Sequence, residues 1–187
     1  EIDRLLSSIQ NQNVVRVPGK EQISLIAVDI DNQSSVALKY GNRIARNLSQ
    51  QVGARIRRNI DPASNFKLFH VSADKYYILL EGIDLTETRD LSRELYRVLG
   101  VGEYRIRPLS AIPGRAVQPA NMLELSGVTV HMGVSTYTFE KLAELLRRYP
   151  AQTAVIYVRT VILAGLDLKL ERGKLEGGNR IVSWDRD

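Results

Sequence analysis

The run from Ile23 to Ile30 (ISLIAVDI) constrains the fold of this chain more than any other segment. It is too brief for a helix and β-branched enough for a buried central strand, and it ends in acid, at Asp29 and Asp31. From Gln33 to Arg57 the period changes. Ala37, Gly41, Ile44, Ala45, Leu48, Val52 and Ile56 recur at the spacing of one helical face laid against a sheet, and Asp61-Pro62 stops it. Phe66 to Val71 and Tyr76 to Leu80 flank the polar tip Ser72-Ala73-Asp74-Lys75, which predicts an antiparallel hairpin with Asp74 at its turn.

Asp84 and Glu87 have the spacing of a capping box. They open a helix that carries Leu91, Leu95, Val98 and Leu99 on one side and Gly100 at its end. Tyr104 to Leu109 is expected to be an extra strand, and Ser110 to Gln118 a loop around Pro113-Gly114. Val128 to Val134 alternates as a strand and Phe139 to Arg148 forms a short helix ended by Pro150. Thr153 to about Leu170 forms a longer apolar helix, and Ile181 to Trp184 closes the chain as a strand. The order βαββαβαβ, with an added strand and helix, predicts an α+β domain: a ferredoxin-like palm whose mixed sheet is flanked by helices.

With 187 residues, one domain is expected. Residues 1–20 lack a clear core pattern and read as the tail of a connecting helix plus a linker, and residues 21–187 as the domain proper. No apolar run approaches the roughly 20 residues of a membrane-spanning helix. Glu1 to Gln10 is polar where a secretion signal is apolar, although a longer parent chain would hide such a signal. A cytoplasmic location is therefore expected. There are no cysteines, which excludes disulfides and thiolate metal sites. The net charge of +5 raises nucleic acid as a partner. The basic residues, however, gather at helix ends (Arg55, Arg57, Arg58; Arg147, Arg148) and no aromatics interleave with them, so nucleic acid is not expected.

Three strings in this order resemble the GGDEF family of diguanylate cyclases. Leu25 to Gly41 (LIAVDIDNQSSVALKYG) is similar to the family's strand, Asp-x-Asp turn and helix. Ser72 to Leu80 (SADKYYILL) stands at the place of its signature hairpin. Val128 to Val134, with Lys174 to Val182 (KLEGGNRIV), is similar to its late strand and Lys-x-x-Gly-Arg-Asn finish. The resemblance implies a nucleotidyl cyclase-like fold that condenses two GTP molecules into cyclic di-GMP, with Mg²⁺ held by carboxylates of neighbouring strands. Asp29 and Asp74 stand at those places as metal candidates. The second acid of the signature is Lys75, so an Asp74–Lys75 ion pair in place of the metal is one reading and a solvated turn the other.

Ser72 and Ala73 replace the two signature glycines, and Tyr76 ends the altered signature Ser72-Ala73-Asp74-Lys75-Tyr76. Ala37 and Arg46 occupy the places of the family's guanine-binding Asn and Asp. Neither supplies the acceptor that guanine N1 and N2 require. Lys174 keeps the family's phosphate-touching lysine and, with Lys75, is the candidate for nucleotide or phosphate. An alternative register would place Arg159 near that role, and Gly178 replaces the family's arginine. Arg58 to Asp61 spells the family's Arg-x-x-Asp product-site string about five residues too early, so an accidental match is expected. His70 and His131 fall inside strands and are expected to be structural.

The expected function is that of a catalytically inactive, regulatory or protein-interaction module, with other protein domains or a second copy as partners. The alternative is a sensor domain that binds GTP or cyclic di-GMP, with Mg²⁺ expected only if nucleotide is bound. An active cyclase or a nucleic-acid binder ranks below both.

Overall fold

Every side chain of the central strand β1 (Gln22–Ile30) from Ile23 onward is buried. The computed structural model, which describes residues 1–12, 21–100, 103–106, 123–177 and 179–183, shows how. Alternate residues of a strand point to opposite faces. Ile26, Val28 and Ile30 pack against Ile44, Leu48, Val52 and Ile56 of α3 (Asn42–Arg58) and Leu95 and Leu99 of α4 (Leu85–Gly100). Ile23, Leu25 and Ala27 pack on the other face against α1 (Ile2–Gln10), α5 (Phe139–Arg147) and α6 (Ala154–Leu175).

Four more strands complete the sheet: β2 (Phe66–His70), β3 (Lys75–Glu81), β6 (Val130–Thr138) and β7 (Ile181–Ser183), in the order β2-β3-β1-β6-β7. All pairs are antiparallel except β6 with β7, so the sheet is mixed and carries helices on both faces, the α+β palm expected from the sequence. A separate two-stranded ribbon joins β4 (Tyr104–Ile106) to β5 (Leu123–Leu125), and α2 (Gln33–Tyr40) precedes α3.

The expected hairpin, late strand and closing strand are present, and the capping box forms in full. Asp84 N–H donates to Glu87 Oε2 at 3.0 Å and Glu87 N–H to Asp84 Oδ1 at 2.8 Å.

The differences have local causes. The helix expected over Gln33 to Arg57 is two helices, because Gly41 adopts φ 91°, ψ 155°, a conformation that breaks the hydrogen-bonded ladder. The strand expected to end at Val134 continues to Thr138, since Ser24 and Thr136 hide their hydroxyls by hydrogen bonding across the strands at 2.7 Å. α6 runs to Leu175, beyond Leu170, because Gly173 lets the helix pass over the sheet while Glu171 and Arg172 face outward and Lys174 reaches Asp29.

The segment that lacked a clear core pattern is a helix at residues 2–10. Its Leu6 and Ile9 are buried with Leu142 and Leu146 of α5. The expected loop Ser110 to Gln118, Arg107 to Leu109 of the extra strand and Trp184 lie outside the described residues.

Gly41 is held where only glycine rests without strain, so Gly41→Ala should cost about 1–3 kcal/mol in stability, measured by urea unfolding. An unchanged midpoint would mean that the α2–α3 break is not fixed by this residue.

Candidate functional site

The end of β1, the tip of the β2–β3 hairpin, the start of β6 and the last turns of α6 meet around a cavity of about 660 Å³. Asp29, Asp31, Asp74, Thr129, His131 and Lys174 line it. Strand pairing sets this geometry. Asp29 lies opposite Lys75 of β3 on one side and His131 of β6 on the other. Beyond the strand the chain stays tied to both neighbours. Ile30 N–H donates to Asp74 O at 2.9 Å and Asp31 N–H to Thr129 O at 3.0 Å, before Asn32 turns in the left-handed region (φ 56°) into α2.

Asp29 is buried, and its Oδ2 accepts from Lys174 Nζ at 3.3 Å. Burial raises the Asp29 pKa above the ordinary 3.8 and outweighs the opposing pull of the ammonium. Burial alone would lower Lys174, but Asp29 and Glu171, the latter at 3.2 Å, outweigh it and leave the lysine raised. Asp74 sits at the hairpin turn, where its Oδ1 accepts from Ser72 Oγ at 2.8 Å.

Lys75 pairs with a residue other than Asp74. Its Nζ lies 3.0 Å from Asp167 Oδ1 on α6, an oxygen that also accepts from Tyr77 Oη at 2.7 Å. The reason is strand alternation, which sends Lys75 and Tyr77 to the α6 face and Tyr76 to the α3 face. Tyr76 Oη donates to Ser49 O at 2.8 Å, and its ring stacks on His70 at 4.5 Å.

Behind the hairpin lies a second cavity of about 490 Å³, which Ala37, Arg46, Ser49, His70, Ala73 and Gln33 line. It brings together the two positions that the resemblance assigns to guanine, Ala37 and Arg46. Gln33 borders both cavities, and its Nε2 donates to Ala73 O at 2.8 Å and Ala45 O at 3.2 Å. Of the two registers left open for a phosphate-touching cation, the residue beside Asp29 is Lys174. Arg159 pairs with Asp3 at 2.6 Å instead.

A carboxylate pair for Mg²⁺ does not fit the Asp29–Asp74–Lys75 set. Mg²⁺ takes oxygen ligands, while an ammonium already holds Asp29 and a second ammonium stands where the other acid would be. Sequence reasoning missed another grouping. Ligand atoms of Asp29, Asp31 and His131 lie within 4.8 Å of one another. The Asp-x-Asp string signalled Asp31, but His131 joins it only through the β1–β6 register, which no local pattern states.

Solved structures with the same architecture were found. The active GGEEF domain of a diguanylate cyclase from Vibrio cholerae superposes with a TM-score of 0.59 at 15% identity, over 89% of this chain and 85% of that one. The GGDEF domain of DgcB from Caulobacter crescentus in complex with c-di-GMP gives 0.64 at 14% identity, over 97% and 84%. The GGDEF domain of PA1120 (YfiN or TpbB) from Pseudomonas aeruginosa gives 0.62 at 13%, over 98% and 94%. The chain has the GGDEF-domain fold. No protein-family model and no curated protein matches its sequence. On this fold, residues 72–76 of the chain read Ser-Ala-Asp-Lys-Tyr and Asp29 pairs with Lys174.

Removing the ammonium tests that pair. In metal-free protein, Lys174→Met should push the Asp29 pKa further up, read by carboxyl NMR titration, because only the opposing influence has been deleted. The folded state would then keep its extra proton to higher pH. Stability, full below about 3.8, would fall over a wider window as pH rises. A lowered Asp29 pKa would show that burial is not the dominant cause.

Proposed function

We propose that this chain is a non-catalytic regulatory module on the GGDEF fold, acting on other domains of a larger cytoplasmic signalling protein or on a second copy of itself. One observation carries this reading: at the expected metal cluster Asp29 is paired with a cation, and a cation stands in place of the acid beside Asp74. Lys174 holds Asp29, and the neighbouring place is Lys75, itself bonded to Asp167. Phosphoryl transfer needs positive charge, commonly from metal ions, placed in advance where charge develops on the phosphate. Carboxylates already neutralised by side chains are poor recruiters of metal–nucleotide.

Recognition of guanine is weakened in the same way. In the cavity behind the hairpin, the two positions that the resemblance assigns to guanine are Ala37, which has no polar group, and Arg46, which only donates. A site that leaves the guanine N–H groups unpaired loses its selectivity for that base.

A second reading is a nucleotide-binding allosteric sensor for GTP or cyclic di-GMP, with Lys174 and Lys75 toward phosphate. What favours it is the second cavity, where Arg46 and the buried, unpartnered Gln33 Oε1 supply a cation and an acceptor. Among the described residues no helix is long and apolar enough to cross a membrane.

Incubation with GTP and Mg²⁺, followed by chromatography, should give no cyclic di-GMP. Titration calorimetry with GTP, ATP and cyclic di-GMP should give no Mg²⁺-dependent heat. Product that disappears in Asp29→Ala would overturn the non-catalytic reading. Micromolar binding without product would replace it with the sensor reading.

A further inference from the structure

The sheet covers one side of α6, yet the helix is apolar on two. Ala154, Val158, Ile162, Leu166 and Leu170 recur every four residues and are buried with β1, α1 and α5. On the opposite side Tyr157, Val161, Leu168 and Leu175 stand in solvent, at 51%, 47%, 68% and 87% exposure. A helix that packs on a core with one face ordinarily turns polar side chains outward. α4 does so, with Glu87, Asp90, Arg93, Glu94 and Arg97 exposed. α6 instead offers solvent a continuous apolar stripe, edged by Tyr149, whose ring stacks on Tyr157 at 5.0 Å.

The spacing of the stripe says what would cover it. Val161, Leu168 and Leu175 are seven residues apart, and Tyr157 and Ala164 alternate with them at steps of four and three. This is the pattern one helix presents to another. From Tyr157 to Leu175 it runs along about 27 Å of helix. With Ile156 beside it, 55% exposed, the stripe shows on the order of 500 Å² of apolar surface, the size at which a patch on a monomer marks an interaction site. Two such faces pressed together bury about 1,000 Å², where specific interfaces begin. The stripe also complements itself. Ala164 is exposed and small, so it leaves a hollow between Val161 and Leu168 into which a leucine of a facing helix fits. Glu171 falls in the same stripe, seven residues after Ala164. A parallel pair would set this carboxylate against its own copy. An antiparallel pair carries it toward the first turns of the other α6, which have no acid of their own and whose dipole favours one.

We infer that the outer face of α6 is a dimerisation surface, which pairs antiparallel with the same face of a second copy of this chain about a two-fold axis near Ala164. The pairing bears on the interior of the domain. Asp167, which holds Lys75 and Tyr77, and Lys174, which holds Asp29, both project from α6. A second copy seated on the helix therefore fixes the element on which the hairpin and the end of β1 lean. The surface itself is apart from the cavity at the end of β1, whose walls include none of Tyr157, Val161 and Leu168. It stands whether or not the chain is catalytic, so product formation bears on the regulatory reading alone and self-association on this surface alone.

Sedimentation velocity of the tag-free chain across the micromolar range tests it. A monomer–dimer equilibrium with a micromolar dissociation constant is expected. Leu168→Glu should weaken it at least about 100-fold, because two-fold symmetry places the carboxylate in the interface twice. Leu38→Glu, at an equally exposed leucine on α2, should leave it unchanged. Circular dichroism checks that each variant is folded. Should Leu168→Glu not fold, thiol cross-linking takes its place, since the chain has no cysteine of its own. A short bis-maleimide should join two copies of Ala164→Cys and fail to join two copies of Leu175→Cys, whose thiols lie more than about 25 Å apart along an antiparallel pair. A monomer at every concentration would overturn the surface and leave the stripe to another domain. Undiminished dimer in a folded Leu168→Glu, loss of dimer in Leu38→Glu, or cross-linking through Leu175→Cys would each overturn the proposed pairing.

Discussion

A carboxylate buried at the end of a strand that is itself covered on both faces is the constraint around which the rest is arranged. Neighbouring strands flank Asp29 on both sides, and the residues that precede it in β1 are sealed by helices above and below. Ionised carboxylates in such places are costly unless a counter-charge and hydrogen bonds accompany them. The chain supplies the counter-charge from far away in sequence, on the last turns of α6. That requirement explains why α6 extends past its apolar stretch and why it must lie close to the sheet. At Gly133 of β6 a Cβ would come within 2.9 Å of Leu166 O. A glycine there allows the helix to descend far enough for Lys174 to reach Asp29.

The hairpin shows how one alternation can serve two layers. Lys75 and Tyr77 reach the same oxygen of Asp167 and bind the hairpin to α6, while Tyr76 reaches Ser49 and stacks on His70, binding it to α3. The turn between them is therefore tied to the helices of both faces rather than standing free. Any shift of α6 would be felt at residues 72–76 through Asp167, and at β1 through Lys174. A domain that relays a conformational change needs such contiguous contacts between the moving helix and the sheet.

How much of this could be read in the sequence depends on whether a feature is local. The apolar run of β1, the capping box at Asp84 and the polar tip at residues 72–75 are local, and each appears where its pattern put it. The break at Gly41 was legible in principle, because a glycine inside a helical pattern is permissive, but the uninterrupted spacing on either side concealed it. The helix at residues 2–10 has Ile2, Leu5, Leu6 and Ile9 on one face, a pattern too short to stand out before the face it covers on α5 was known. The site itself was half legible. Asp29, Asp74 and Lys174 do gather at one cavity. The partner of Lys75 lies 92 residues further along the chain, on α6, and the position of His131 beside Asp29 depends on register, so neither left a local trace.

Charge at the cavity separates the possible guests. Asp29, Asp31 and Asp74 line it, against Lys174 as the cation in its wall, while Lys75 is spent on Asp167. The carboxylates of the wall outnumber its lysine. Phosphate groups bring more negative charge into such a place and need a cation between them and the carboxylates, whereas a metal ion relieves the repulsion directly. Raised protonation of Asp29 is another way to relieve it, and the burial of that group pushes in this direction. An anionic ligand would meet fewer carboxylates in the neighbouring cavity, where Asp74 is the acid in the wall and Arg46 a cation.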